Sequence, residues 1–455
     1  MIARVAVALA ASLALHGCAS RVAPAPPPAS PPEAPLPTLP VAPSASSSLP
    51  LAPEPDAEPV ALPIRAARHR GPAGLSAVAV ARAGDVTEAR VVVRGAGLAA
   101  DPSLARAAAE ALSARLAARP PPRAARVRVS AALDALVVSI STTDPVISLR
   151  ALGDELRRAG GDGLPDDAGA PLGEIALFRA LYALPASVHP YAELAPTASP
   201  RQRDVARFVA ERVTAEAITI VTVGALDAAA AHDALAATLG PTPAALAVPR
   251  PTPPVSPDAP RLFVIDARRD HAEVTVGLLT LERGDDAWPE LLVAARARRV
   301  ALARLASLEV RVAPLRDGPC PLVARWRTSP GALVGEVRDA LAALSLGAPS
   351  PPEIELLALR SLTRDHARVA GQPRLLADRL AELAALGRDE LPAPPPTPSS
   401  ARLARSLAEQ PASSPVVVVE GPASALAPSL AALGDVTVLD PSRGLAPSRV
   451  VKASR

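Results

Sequence analysis

The sequence predicts an α+β protein built from two similar halves, with a proline-rich tether in front of them. Three observations predict this fold class. Apolar residues make up 49% of the 455 residues, which is enough to bury a large core. A proline-rich break at 249–254 divides the body of the chain into parts of similar length. Both parts end in the same order of helix, strand, glycine turn, helix and closing glycine, which indicates an internal repeat.

The N-terminus has the pattern of an export signal. An apolar run at 5–15, too short to span a membrane, ends just before Cys18. Leu15 and Gly17 before this cysteine are similar to the lipobox of bacterial lipoproteins, whose cysteine is acylated after cleavage. We therefore expect 1–17 to be a lipoprotein signal peptide, Cys18 to be the lipid attachment site, and the protein to be exported and anchored in the outer membrane, facing the periplasm. An ordinary signal peptide with an unmodified cysteine is the alternative.

The next segment, 18–60, is dominated by Pro, Ala and Ser. This composition cannot bury a core and favours extended polyproline conformations, so we expect a disordered tether without secondary structure. The remaining chain is expected to divide into an N-terminal domain (61–245), a proline-rich linker (246–260), a C-terminal domain (261–445) and a tail (446–455).

The first half contains strand-like and helix-like stretches in succession. Helix-length stretches at 144–159 and 201–213 carry apolar residues at helical spacing. The β-branched run at 218–224 is followed by an Ala-rich helix that ends at Gly240. Segments of strand-like composition lie at 75–81, 87–93, 125–129 and 135–140.

The second half repeats this order. Helices are predicted at 330–345 and 401–409, and the valine-rich run at 416–421 leads to an Ala-rich helix that closes at Gly434. Because strands come early and packing helices come late, each half is predicted to be an α+β sandwich. Segments of strand-like composition lie at 262–266 and 273–280.

The charge of the chain gives no support to nucleic-acid binding. The formal net charge is +3, with 48 basic against 45 acidic residues, so no strong field is available for a polyanion. Arginine clusters at 65–70 and 296–304 are predicted to be solvated loop and helix faces, because no aromatic residues lie between the arginines for base stacking.

Several segments together resemble the insulinase and pitrilysin-type metallopeptidases, which include the mitochondrial processing peptidases. In the first half these are Val-His-Pro-Tyr at 188–191, a Thr-x-x-Pro turn, a helix carrying Phe208 and the strand at 218–224. In the second half, 350–355 resembles the segment that opens the family's C-terminal helix pair. The resemblance implies two related halves facing a chamber in which an unfolded peptide lies against a sheet edge. It also implies that His189 belongs to a structural turn.

The family's zinc motif, His-x-x-Glu-His on a helix, places two histidines on one helical face as metal ligands, with the glutamate activating bound water. No such spacing occurs here. On the helix that would carry the motif, one register places Ala107 and Ala111 at the two histidine positions and retains Glu110. The resemblance therefore implies zinc, but its ligands are missing, and we predict no catalytic residue, no metal site and no cofactor. The histidines of the chain are His16, His69, His189, His232, His271 and His366.

Other chemistry-bearing residues have structural interpretations. Cys320 lies between two prolines without an identifiable base nearby, so we predict a buried, inert thiol. Trp288 and Trp326 are predicted to pack in a core or interface.

Two functions are compatible with these features. The first is a non-catalytic, pseudopeptidase lipoprotein that partners an active zinc-peptidase homologue and helps to bind peptide substrate. The alternative is a cell-envelope scaffold or binding lipoprotein with no proteolytic role. An active peptidase whose zinc ligands come from scattered His, Asp and Glu residues is the third interpretation.

Overall fold

The computed structural model describes residues 64–158, 172–182, 191, 200–240, 261–345, 350–388, 390–393, 400–409 and 414–453. The predicted signal peptide, Cys18, the tether, the linker at 246–260 and His189 lie outside these residues. The described residues belong to one compact unit.

Within the described residues, the first half forms a six-stranded sheet with five helices. Its strands are β1 (Ala67–Arg70), β2 (Ser76–Ala81), β3 (Thr87–Arg94), β4 (Ala124–Ala131), β5 (Ala135–Thr142) and β6 (Ile218–Gly224). Its helices are α1 (Pro102–Ala118), α2 (Pro145–Arg157), α3 (Leu172–Tyr182), α4 (Gln202–Arg212) and α5 (Ala228–Leu239).

The described part of the second half forms a seven-stranded sheet with six helices. Its strands are β7 (Arg261–Asp266), β8 (Ala272–Glu282), β9 (Ala306–Val312), β10 (Pro319–Thr328), β11 (Val416–Gly421), β12 (Val436–Asp440) and β13 (Ala446–Val451). Its helices are α6 (Trp288–Ala301), α7 (Leu333–Leu344), α8 (Pro352–Gly371), α9 (Pro373–Ala385), α10 (Ser400–Glu409) and α11 (Ala423–Leu430).

The two sheets share one topology. The first has the order β1-β2-β6-β3-β5-β4, and the second has the order β13-β12-β7-β11-β8-β10-β9. The inner run β2-β6-β3-β5-β4 therefore matches β7-β11-β8-β10-β9 strand for strand. In both, the first pair is parallel and the following pairs are antiparallel. The predicted α+β fold with two repeated halves is confirmed.

Local sequence explains where several helices begin. Asp101 accepts a hydrogen bond from the backbone N–H of Leu104 at 2.8 Å, and Asp144 caps α2 through the N–H of Ile147. A proline follows each aspartate at the first helical position, where its missing N–H costs no hydrogen bond. These Asp-Pro pairs mark the starts of α1 and α2 in the sequence.

One helix from each half packs on the sheet of the other half. Helix α3 of the first half packs on β8 and β11, and α9 of the second half packs on β3 and β6. The apolar residues of α3 belong to the core of the second sheet, and those of α9 belong to a cluster with Val92 and Val221 of the first sheet. Since β3 matches β8 and β6 matches β11, the two exchanged helices occupy equivalent positions.

The structure corrects two predictions. The stretch 446–455 is not simply a tail, because β13 pairs with β12 by backbone hydrogen bonds although most of its side chains are exposed. The arginine cluster at 296–304 is not wholly solvated, because Arg298 is buried and donates to Ser350 Oγ and to the carbonyl of Ser345.

Candidate functional site

Helix α1 carries Ala107, Glu110 and Ala111, the residues that one register of the family motif predicts for its two histidines and its glutamate. Ala107 and Ala111 are 1% and 3% exposed, and Ala107 belongs to the apolar core between the first sheet and its helices. Glu110 is half-buried on the same helix. Methyl groups cannot ligate a metal, and close-packed surroundings leave no space for imidazoles. The residues present at this position therefore do not fit the zinc centre that the resemblance implies.

Next to α1, strand β4 forms one edge of the first sheet, with no strand beyond it among the described residues. Val127 and Val129 point toward the core beneath α1, whereas Arg126 and Arg128 are exposed on the other face. Neither arginine has an ion-pair partner within the described part of the chain. An edge strand presents unpaired backbone N–H and C=O groups, so β4 can accept another extended segment.

The exposed face of β4 continues into a polar stripe across the sheet. Arg126 stands opposite Ser141, which stands opposite Glu88, and the next row contains Arg128, Ser139 and Arg90. Opposite residues in an antiparallel pair share a face, so these side chains lie side by side. These residues form a row of mixed charge that begins at the free strand edge and continues inward.

The inner part of this stripe is a buried ion network. Arg90 is 2% exposed, and its Nη1 donates to Glu88 Oε2 at 3.0 Å. Its Nε donates to Asp378 Oδ1 of α9 at 2.7 Å. Ser141 Oγ donates to Glu88 at 2.8 Å. The network therefore joins the first sheet to the helix supplied by the second half.

The second half has a charged network at the equivalent place. Glu273 stands at the register of Glu88 and pairs with Arg325 and Arg269. Glu420 Oε1 accepts a hydrogen bond from the backbone N–H of Gly173, in the first turn of α3, at 2.7 Å. Burial favours a higher pKa for Glu273, but the two arginines together lower its pKa below the ordinary glutamate value.

A basic cleft of about 540 Å³ lies between the outer strands of the first sheet and the end of α9. Its charged lining includes Arg68, Arg70, Arg94, Arg388 and Glu390. Arg94 Nη2 donates to the carbonyl of Glu216, and Glu390 pairs with an arginine of the second half. Arg94 and Glu216 both belong to the first half, and Glu390 and its arginine both belong to the second, so each of these two contacts stays within one half.

Cys320 and the two tryptophans lie in the core of the second half, as predicted. The Cys320 thiol is fully buried, and burial raises its pKa to about 11. A thiol with so high a pKa is protonated at neutral pH and is a poor nucleophile.

One cluster of metal-ligand types was missed by sequence reasoning. His69 of β1, His232 of α5 and Asp233 each offer a donor atom within 4.8 Å of the others, and this is the one such group among the described residues. The imidazoles of His69 and His232 meet edge to face at 4.7 Å. His69 and His232 are far apart in the sequence, and only the packing of β1 against α5 brings them together.

No helix in the described ranges is both long enough and apolar enough to cross a membrane.

Solved structures share this fold at low sequence identity. The inactive domain of an M16 peptidase from Pseudomonas fluorescens matches with a TM-score of 0.59 and 16% identity, over 79% of this chain and 98% of that one. A protease from Helicobacter pylori matches with a TM-score of 0.62 and 13% identity, over 79% and 100%. The first half of the periplasmic protease PqqL from Escherichia coli matches with a TM-score of 0.55 and 15% identity, over 81% and 94%.

These likenesses show that the chain has the two-half α+β fold of M16-type peptidase domains. No protein-family model and no curated protein matches the sequence.

Proposed function

We propose that this chain is a non-catalytic, peptidase-like subunit of the cell envelope that binds an extended peptide segment along the free edge of β4. The observation that carries the proposal is the pairing of two features on neighbouring elements. Helix α1 buries alanines at the positions that one register of the family motif gives to its histidines, while the strand beside it has an open edge among the described residues. One inactive domain of this fold is already known from Pseudomonas fluorescens.

Backbone pairing supplies affinity in strand addition, and side chains beside the edge supply selectivity. Arg126 and Arg128 project from the same face, two residues apart, which matches the repeat of an extended peptide. We therefore infer a preference for unfolded peptides that carry acidic residues at alternate positions.

The test is fluorescence anisotropy with a labelled ten-residue peptide that has glutamate at alternate positions, and with its lysine counterpart. The wild-type chain is expected to bind the acidic peptide and to leave it uncut, with or without added zinc. Arg126→Glu/Arg128→Glu is expected to weaken binding at least tenfold. Arg449→Glu, which reverses an exposed arginine on the edge strand β13 of the other sheet, serves as the matched control.

Two outcomes would contradict the proposal. Cleavage of the peptide by the isolated chain would make it an enzyme. Equal loss of binding in both charge-reversal variants would mean that the acidic peptide is attracted to positive charge anywhere on the protein. In that case β4 is not the binding site.

The proposed partner is an active zinc-peptidase homologue, and the proposed anchor is the acyl group on Cys18. Co-purification from native membranes after mild detergent extraction tests the partner, and Cys18→Ser tests the anchor by releasing the chain to the soluble fraction. A chain that brings down no peptidase and binds no peptide would instead favour a scaffold lipoprotein.

A further inference from the structure

The group formed by His69, His232 and Asp233 joins an edge strand to a helix. Among the described residues, strand β1 pairs with β2 alone, and His69 stands opposite Ala77 of the core beneath α5. His69 therefore shares the face of the sheet on which α5 packs. Arg68, His69 and Arg70 all border the basic cleft as well.

The donor spacing suits a metal ion. His232 Nδ1 and Asp233 Oδ1 are 2.9 Å apart. Two ligands held at about 2.0–2.1 Å from one zinc ion lie roughly 2.9–3.4 Å apart, so this pair can bind one ion almost without moving. The rings of His69 and His232 are in contact, and the donor atom of His69 lies within 4.8 Å of the other two, so its side chain must rotate toward them to reach the same ion.

The His232 ring is held in place by its surroundings. The residue is 9% exposed, and Gly71 lies directly against the ring. A Cβ added at Gly71 would stand 2.1 Å from His232 Nε2, so any side chain at this position would displace the ring. With the Nε2 side covered, Nδ1 is directed to Asp233, as a preoriented ligand requires.

We propose that His69, His232 and Asp233 form a binding site for a divalent transition metal, with zinc as the best-suited ion. Two imidazoles and one carboxylate are a donor set for zinc, copper or nickel, whereas calcium and magnesium prefer oxygen ligands alone. Three protein ligands leave one position for water. The ion would fasten β1, a four-residue edge strand, to α5, and this role is independent of the α1 position and of peptide binding.

The experiment uses the full chain carrying Cys18→Ser, so that no accessible thiol competes for the ion. After chelator treatment and removal of the chelator, zinc chloride is titrated calorimetrically, and cobalt chloride is titrated while the visible absorption is recorded. We expect one ion per chain, with cobalt bands typical of low-coordinate nitrogen and oxygen ligation. Zinc is also expected to raise the melting temperature.

Variants assign the site. His69→Ala and His232→Ala are each expected to lower zinc affinity at least tenfold, and Asp233→Asn severalfold. His271→Ala and His366→Ala, which change described histidines outside the cluster, are the matched controls. Gly71→Ala displaces His232 without removing a ligand, and it is expected to weaken binding as well.

The proposal is overturned if the chain binds no stoichiometric ion, or if His69→Ala binds zinc as the wild type does. If His232→Ala proves unstable, His69→Ala decides alone, because His69 is half-buried on an edge strand and its loss leaves the core intact.

Discussion

Replacing Arg90 by methionine is the sharpest test of how the two halves are joined. The side chain is 2% exposed and contacts Glu88 of its own strand and Asp378 of the exchanged helix α9. Methionine keeps the apolar stem but removes every hydrogen bond of the guanidinium. Glu88 is then left buried, with Ser141 as its remaining hydrogen-bond donor in the network.

The expected cost follows from the burial of each partner. Removing one member of a buried ion pair costs about 3–5 kcal/mol, because the other charge stays buried without compensation. Asp378 has a side chain that is 47% exposed, so its own loss contributes less than about 1 kcal/mol. We therefore expect Arg90→Met to lower the free energy of unfolding by about 3 kcal/mol, near the lower end of the range.

A double mutant separates the charge from the packing. Glu88→Gln removes the buried negative charge that has lost its arginine partner, while the new amide can still form a hydrogen bond with Ser141. Adding Glu88→Gln to Arg90→Met should therefore cost about 1–3 kcal/mol less than the sum of the single changes.

The assay is urea unfolding followed by two probes. Far-UV circular dichroism reports on the whole body, whereas fluorescence reports on the second half, because Trp288 and Trp326, the two tryptophans of the chain, both lie there. In the wild type we expect coincident midpoints, since each half supplies part of the other's core. Arg449→Met, at an exposed arginine, should stay within about 0.5 kcal/mol of the wild type. A cost below about 1 kcal/mol for Arg90→Met, or strict additivity with Glu88→Gln, would refute the reasoning.

Three further predictions concern the second half. Gly277→Ala should destabilise the protein by about 1–3 kcal/mol, because a Cβ at this position would lie within 2.8 Å of a side chain of α3. Gly335→Ala, in the exposed first turn of α7, should be neutral or stabilising. Thermal unfolding of the two variants tests this difference. With Cys18 replaced by serine, Cys320 should not react with a thiol reagent at pH 8 until denaturant is added, because the thiol is buried and its pKa is raised. Rapid stoichiometric labelling of the native chain would instead show that the thiol is accessible. The folded-state pKa of Glu273 is below its unfolded value, so its contribution is present above about pH 4.3 and is lost as pH falls through the folded-state pKa. The stability advantage of the wild type over Glu273→Gln should accordingly shrink between pH 7 and pH 3 in urea titrations, and a gap that does not narrow would mean that Arg325 does not stabilise the ionised form.

Much of the fold could be predicted because its signals are local. The runs at 218–224 and 416–421 are rich in β-branched residues, since both are central strands with two buried faces, and both were placed correctly. Strands β9 and β10 were missed because prolines open β10 and charged residues alternate along both strands on the half-open face. Strand β13 was missed because its side chains are exposed and only backbone pairing holds it.

The candidate sites depend on contacts that local patterns do not encode. The helix with Ala107 and Ala111 was placed correctly, but from the order of elements that the family resemblance implies. The meeting of His69 with His232 depends on which helix covers the edge of the sheet, and hydrophobic periodicity contains no information about that choice. The same holds for Arg90 and Asp378, whose contact requires α9 to leave its own half.

The exchange of α3 and α9 has a consequence for how such a chain can be divided. A half produced alone would expose the apolar face of its sheet that the exchanged helix normally covers. It would also carry an apolar helix without the sheet on which that helix packs. Two halves produced as separate polypeptides would each supply the missing piece of the other, so they should reassemble into a non-covalent pair. Because the exchanged helices are equivalent, the arrangement is that of a domain-swapped dimer with two-fold pseudosymmetry whose subunits have been fused end to end.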